Sequence, residues 1–209
     1  MRVIDTTSDP QQLARAASAA LTAGDWTAAE AALTGLLAHA PADVSLAYNL
    51  ALVEKRLGKD QAAEQRLAAL LSLAPGHDNA RFEYAASLMN RGAEADALDQ
   101  FEAYLRRRPA DGDARLNAAR LCLRLGHADA AARHLDFAER ERPDDPAIRL
   151  ARAEALRDLG RPGEADETFR ALFRQAPSLR PAILKAMSQG RRGRVPLDAA
   201  VLTGSADKH

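Results

Sequence analysis

Apolar and polar positions follow one another along the chain in a helical rhythm, and the rhythm itself repeats. Small apolar residues fall at Ala17, Ala51, Ala85, Ala119 and Ala153, each 34 residues from the next. A second alanine series runs through Ala29, Ala63, Ala97, Ala131 and Ala165 on the same spacing. Four residues after each of these stands a larger apolar group: Leu33, Leu67, Phe101, Leu135 and Phe169. Glycines punctuate the period at Gly24, Gly58, Gly92, Gly126 and Gly160, and prolines at Pro41, Pro75, Pro109, Pro143 and Pro177. The series share one period without an insertion, so the sequence is an internal repeat.

Each series has a physical reason. A glycine after about fourteen helix-compatible residues suits a left-handed helix end, where a side chain is strained. A proline about seventeen residues later cannot continue the second helix. Asp43, Asp111 and Asp145 then stand where a side chain caps the free amides of the next helix. The spacing predicts first helices over 10–23, 44–57, 78–91, 112–125 and 146–159. It predicts second helices over 26–39, 60–73, 94–107, 128–141 and 162–175, and an eleventh over 180–189 beginning near Pro181. The two alanine series face one another across each hairpin, and the larger residues fill the space between hairpins. No hairpin can bury its apolar face alone, so neighbours must stack.

This pattern resembles the tetratricopeptide repeat family, whose motif is a 34-residue pair of antiparallel helices. The matches are the turn glycine, the two small residues, the large apolar residue and the terminal proline. The resemblance implies an all-α, right-handed α-α superhelix of about eleven helices. Its units are 10–43, 44–77, 78–111, 112–145 and 146–179, after a lead-in over 1–9 and before a capping helix over 180–190. Two family positions depart from the motif. The tryptophan of the first helix is replaced by Leu13, Ala47, Arg81, Arg115 and Arg149. The tyrosine later in that helix is replaced by Ala20, Glu54, Leu88, Cys122 and Leu156. Residues 191–209 combine a basic Gly-Arg run with the apolar stretch Val195–Leu202. They read either as a degenerate sixth unit or as an extended, partly disordered tail lying on the array.

Composition supports helices and removes several function classes. The 48 alanines favour closely packed helices, and only 4% of residues are aromatic. Lys+Arg and Asp+Glu are 29 each, so binding of nucleic acid or an anionic membrane by bulk charge is not expected. A single cysteine, Cys122, permits no intrachain disulfide. Met1 to Pro10 lack the apolar stretch of a signal peptide, and no window reaches the roughly 18 apolar residues of a membrane span. The cytoplasm is the expected location. Neither a phosphate loop, a nucleophile elbow nor zinc-spaced Cys and His is present, so neither cofactor nor metal nor catalysis is expected.

What remains is a surface. In the family the first helices line the concave side, where a peptide or partner helix lies. The resemblance carried over unit by unit points to Tyr48, Asn49, Leu52 and Arg56 in the second unit and Phe82, Met89 and Asn90 in the third. In the fourth it points to Leu116, Asn117, Arg120 and Arg124, and in the fifth to Arg157. Tyr48, Phe82, Leu116 and Leu150 recur one unit apart as an apolar stripe, which either packs against the neighbouring first helix or anchors a partner's side chains. Asn49 and Asn117 flank it, and an amide there can hold a partner's backbone by two hydrogen bonds. Lys55, Arg56, Arg120 and Arg124 could meet an acidic peptide or a free carboxylate, or pair with Glu54, Glu83 and Glu154. The expected role is a protein-interaction scaffold or adaptor. The alternatives are a recognition module of a glycosyl- or sulfotransferase system, and self-association through the end faces or the tail.

Overall fold

The computed structural model describes residues 9–189; the sequence reading of the lead-in before them and of the tail over 191–209 lies outside the described residues. Eleven α-helices are present among the described residues, without a strand. They are α1 (Pro10–Ala23), α2 (Trp26–His39), α3 (Val44–Arg56), α4 (Asp60–Leu73), α5 (Asp78–Arg91) and α6 (Glu94–Leu105). The remainder are α7 (Gly112–Leu125), α8 (Ala128–Glu141), α9 (Pro146–Asp158), α10 (Pro162–Gln175) and α11 (Arg180–Ser188). A short 3-10 turn, Pro177–Leu179, which periodicity does not predict, precedes α11. The largest difference from the expected bounds is at α6, which stops at Leu105. There the amides of Arg107 and Arg108 both return to the carbonyl of Tyr104, whose hydroxyl donates to Asp111 at 2.7 Å.

The helices start and stop for the reasons the sequence supplies. Asp43, Asp111 and Asp145 accept backbone amides at the heads of α3, α7 and α9. Two further caps sit in the same register. Asp9 accepts from the Gln11 amide, and Nδ1 of His77 accepts from the Ala80 amide at 3.1 Å. At the hairpin turns all five repeat glycines, including Gly58 at φ 71°, adopt the left-handed conformation, which no other described residue type adopts.

The described chain forms two compact units that part between Gly92 and Ala93. The first holds α1 to α5. Its core gathers Ala17, Ala29, Leu33, Leu50 and Val53, then Ala51, Ala63, Leu67, Leu70 and Ala80. The second holds α6 to α11, with Ala153, Ala165, Phe169, Leu172, Ile183 and Met187 around the last helices. Both alanine series and the large apolar series are buried throughout, none more than 4% exposed. Full burial of a Phe or Leu contributes about 1.5–3 kcal/mol, so the five larger positions add more to the cohesion than the ten alanines, whose small side chains set the close approach of the helices.

The two departures from the family motif are resolved by hydrogen bonds and burial. At the tryptophan position, Arg81 folds back to the carbonyl of Pro75 at 2.7 Å, and Arg115 to that of Pro109 at 3.1 Å. A guanidinium thus ties a first helix to the proline turn before it. At the tyrosine position, Glu54 is buried and takes a two-bond clasp from Arg66 at 2.7 and 3.0 Å. Cys122 is buried at that position too, and desolvation pushes its thiol up to about 11.

Candidate functional site

In the second unit the first helices α7 and α9 pack side by side, and α11 packs beside α9. Between them opens a cleft of about 450 Å³ lined by Arg120, Leu123, Arg124, Leu150, Glu154, Arg157, Asp158, Lys185 and Gln189, with Ala147, Ala151, Ala182 and Ala186 filling the intervals. The small alanines make this space, because a longer side chain at those positions would occupy it.

One side of the cleft is electrostatically tied down. Arg157 is buried at 6% exposure; it donates to Asp158 at 3.0 Å and to the carbonyl of Ala186 in the last turn of α11. Burial pushes the Glu154 carboxyl up from its ordinary range, against the pull of Arg157 and Arg120. Higher in the cleft, Arg124 pairs with Glu94 at 2.8 Å. Neither Arg120 nor Lys185 has an ion-pair partner within 4.0 Å among the described residues. The cleft therefore combines two cations with the apolar side chains of Leu123 and Leu150, and Glu154 stands in the same lining.

Of the residues expected on the surface, Arg120 and Arg124 line this cleft, whereas Arg157 is committed to holding α11. Leu116 is buried, and Asn117 is half-buried. Leu150 is half-buried, packing on the core and lining the cleft at once. Lys185 and Gln189, two polar residues of the capping segment over 180–190, also line the cleft. Their presence in an amphipathic last helix was the only signal available.

In the first unit the expected residues are dispersed. Tyr48 is half-buried against the core containing Ala51, Ala63 and Ala80, with its ring 5.0 Å from that of His77. Burial, and then the nearby Glu83 charge, raises its hydroxyl pKa. Phe82, Leu52 and Met89 are half-buried, and Asn49 is exposed. Lys55 forms an ion pair with Glu83, and Arg56 lies 5.5 Å over the Trp26 ring. Asn90 lines a separate polar cleft of about 470 Å³ with Lys55, Asp60, Glu64, Ser87 and Arg91. There Arg91 pairs with Glu64 at 3.0 Å. Among the described residues no group of three His, Cys, Asp or Glu side chains could hold a metal ion, and no helix is long and apolar enough to cross a membrane.

The repeat geometry has many counterparts among solved structures. A tetratricopeptide repeat protein from Parabacteroides merdae shares 21% identity, with a TM-score of 0.75 over 86% of this chain and 73% of its own. The protein MamA from Desulfovibrio magneticus shares 18% identity, with a TM-score of 0.73 over 83% of this chain and 98% of its own. Another MamA structure shares 16% identity, with a TM-score of 0.72 over 82% and 94%. These likenesses show the fold. No curated protein sequence matches. Family models described as tetratricopeptide repeat match residues 15–78, 54–112, 87–146 and 126–190. Matched over most of its length, the chain belongs to the tetratricopeptide repeat family.

Proposed function

We propose that the protein is a cytoplasmic interaction scaffold that takes an extended peptide or a helix of a protein partner on its first-helix faces. The main seat is the cleft between α7, α9 and α11. Tetratricopeptide repeats generally serve as protein-interaction scaffolds and are generally non-catalytic. The observation that carries the finer reading is the composition of the cleft. It joins the apolar side chains of Leu123 and Leu150 to two cations, Arg120 and Lys185, that lack ion-pair partners among the described residues.

That pairing suits an acidic segment or a free carboxylate flanked by apolar side chains. Carboxylate contacts to a guanidinium give orientation, while the two leucines supply contact area. Tyr48 and Phe82 on the first unit are a separate contribution. Affinity capture with the tagged full-length chain tests the reading. Arg120→Ala with Lys185→Ala is expected to reduce recovery of the partner at least tenfold, and Tyr48→Ala with Phe82→Ala to reduce it less. Undiminished recovery by the first variant would remove the cleft from the account.

A further inference from the structure

A second surface lies on the other side of α7. Arg115 precedes Arg124 by nine residues, about two and a half helical turns, so it projects from the face opposite the cleft. There Arg115 from α7 and Arg140 from α8 flank Phe137, with guanidinium carbons 4.3 and 5.5 Å from the ring centroid. The three residues line a cavity of about 350 Å³ together with Pro109, Gly112 and Glu141.

Phe137 is 47% exposed. The equivalent positions in the other four units hold Gly35, Ala69, Ala103 and Ala171, so the repeat does not need a large side chain there. The Phe137 ring therefore adds apolar surface where the other units have little or none, and it forms part of the cavity lining. Arg115 is already occupied on its inner side. It donates to the Pro109 carbonyl, Nη1 lies 3.3 Å from Nδ1 of His134, and burial lowers its pKa. Arg140 has its ring contact but no ion-pair partner within 4.0 Å among the described residues.

We infer that this face is a second docking surface, and that its occupant is an acidic peptide segment bearing an apolar side chain. The apolar group lies against Phe137 and Pro109, and a carboxylate meets Arg140. Charge complementarity selects that occupant. The lining holds two arginines against one acidic residue, Glu141, and the exposed Arg106 stands three residues before Pro109. A guanidinium stacked on a ring keeps its edge donors in a fixed fork, so little rotamer freedom is lost when a carboxylate binds.

Fluorescence anisotropy of the full-length chain with a short labelled peptide of alternating glutamate and leucine tests the proposal. The peptide is expected to bind, and its glutamine counterpart is not. Arg140→Ala and Phe137→Ala are each expected to weaken binding about tenfold, the loss of one charge-assisted contact or one aromatic anchor. Phe137→Ala restores the residue type that three other units carry, so it is expected to fold, with circular dichroism as the check. The measurements are made in the Arg120→Ala, Lys185→Ala background, in which the cleft of α7, α9 and α11 has lost its two cations, so that peptide binding reads this face alone. The proposal is overturned by absence of peptide binding, by equal binding of the glutamine peptide, or by an Arg140→Ala variant of wild-type affinity. It is also overturned if a uridylate oligomer displaces the peptide and is itself weakened by Arg140→Ala.

Discussion

Removing the Arg157 side chain is expected to release α11 while leaving the rest of the second unit folded. Arg157 is 6% exposed and bridges Asp158 to the Ala186 carbonyl, across a sequence separation of 29 residues. Arg157→Ala leaves the Asp158 carboxylate, 9% exposed, without its partner and the Ala186 carbonyl without its donor. Breaking a buried ion pair from one side typically costs about 3–5 kcal/mol. Asp158 keeps 9% of its surface exposed, so the lower end, about 3 kcal/mol, applies here. In a stacked array each element is held chiefly by its neighbour, so the loss falls on α11. Its other anchors, Ile183, Ala186 and Met187, remain apolar and buried.

Hydrogen exchange followed by mass spectrometry reads this directly. About 3 kcal/mol corresponds to exchange of the α11 amides roughly a hundredfold faster, with interior amides of α7 unchanged. Arg157→Lys keeps the charge but not the planar fork and is expected to fall between. Adding Asp158→Asn to Arg157→Ala is expected to recover part of the loss, because the stranded charge is gone. Exchange of α11 within threefold of wild type in Arg157→Ala would refute the reasoning.

Other outcomes follow from single residues. Gly58 has φ 71° and nothing within 4 Å of where a Cβ would stand, so Gly58→Ala is expected to cost about 1 kcal/mol from backbone strain alone, as read by urea unfolding. His134 has its pKa pushed down to about 4 by burial, with Arg115 and Arg133 adding to it. The folded state therefore binds its proton less readily than the unfolded chain, and stability falls as pH drops from about 6.5 toward 4. Replacing His134→Gln is expected to flatten that limb by on the order of 1–2 kcal/mol, allowing for partial solvent screening, in unfolding midpoints measured against pH. Cys122, buried and with its thiol pushed up to about 11, is expected to resist a disulfide reagent at pH 8 until denaturant is added; stoichiometric labelling of the folded chain would contradict its placement.

The helices were legible because their determinants are local and repeated. Glycine at the left-handed turn, proline after the second helix and aspartate at the first-helix head each act within a few residues. Their common period multiplies the signal. His77 escaped because histidine is not a usual cap, although its register matches Asp43 and Asp111. The surface was far less legible. Whether Arg120 and Arg124 stand free depends on which carboxylate each long side chain reaches, and those partners lie a helix or two away. Lys55 finds Glu83, Lys59 finds Glu30, and Arg124 finds Glu94. Arg157 looked like a groove cation and is instead a buried tie to α11. No periodicity distinguishes it from Arg120, because the difference is made by the last helix folding over one and not the other.

Hydrogen exchange of the full-length chain, free and with its captured partner, tests the first-helix face of the second unit as a partner seat most directly. The prediction is slower exchange in α7, α9 and α11 around Arg120, Leu150 and Lys185, abolished by Arg120→Ala with Lys185→Ala. Protection confined to second helices such as α8 and α10, or protection that survives that double substitution, would contradict it.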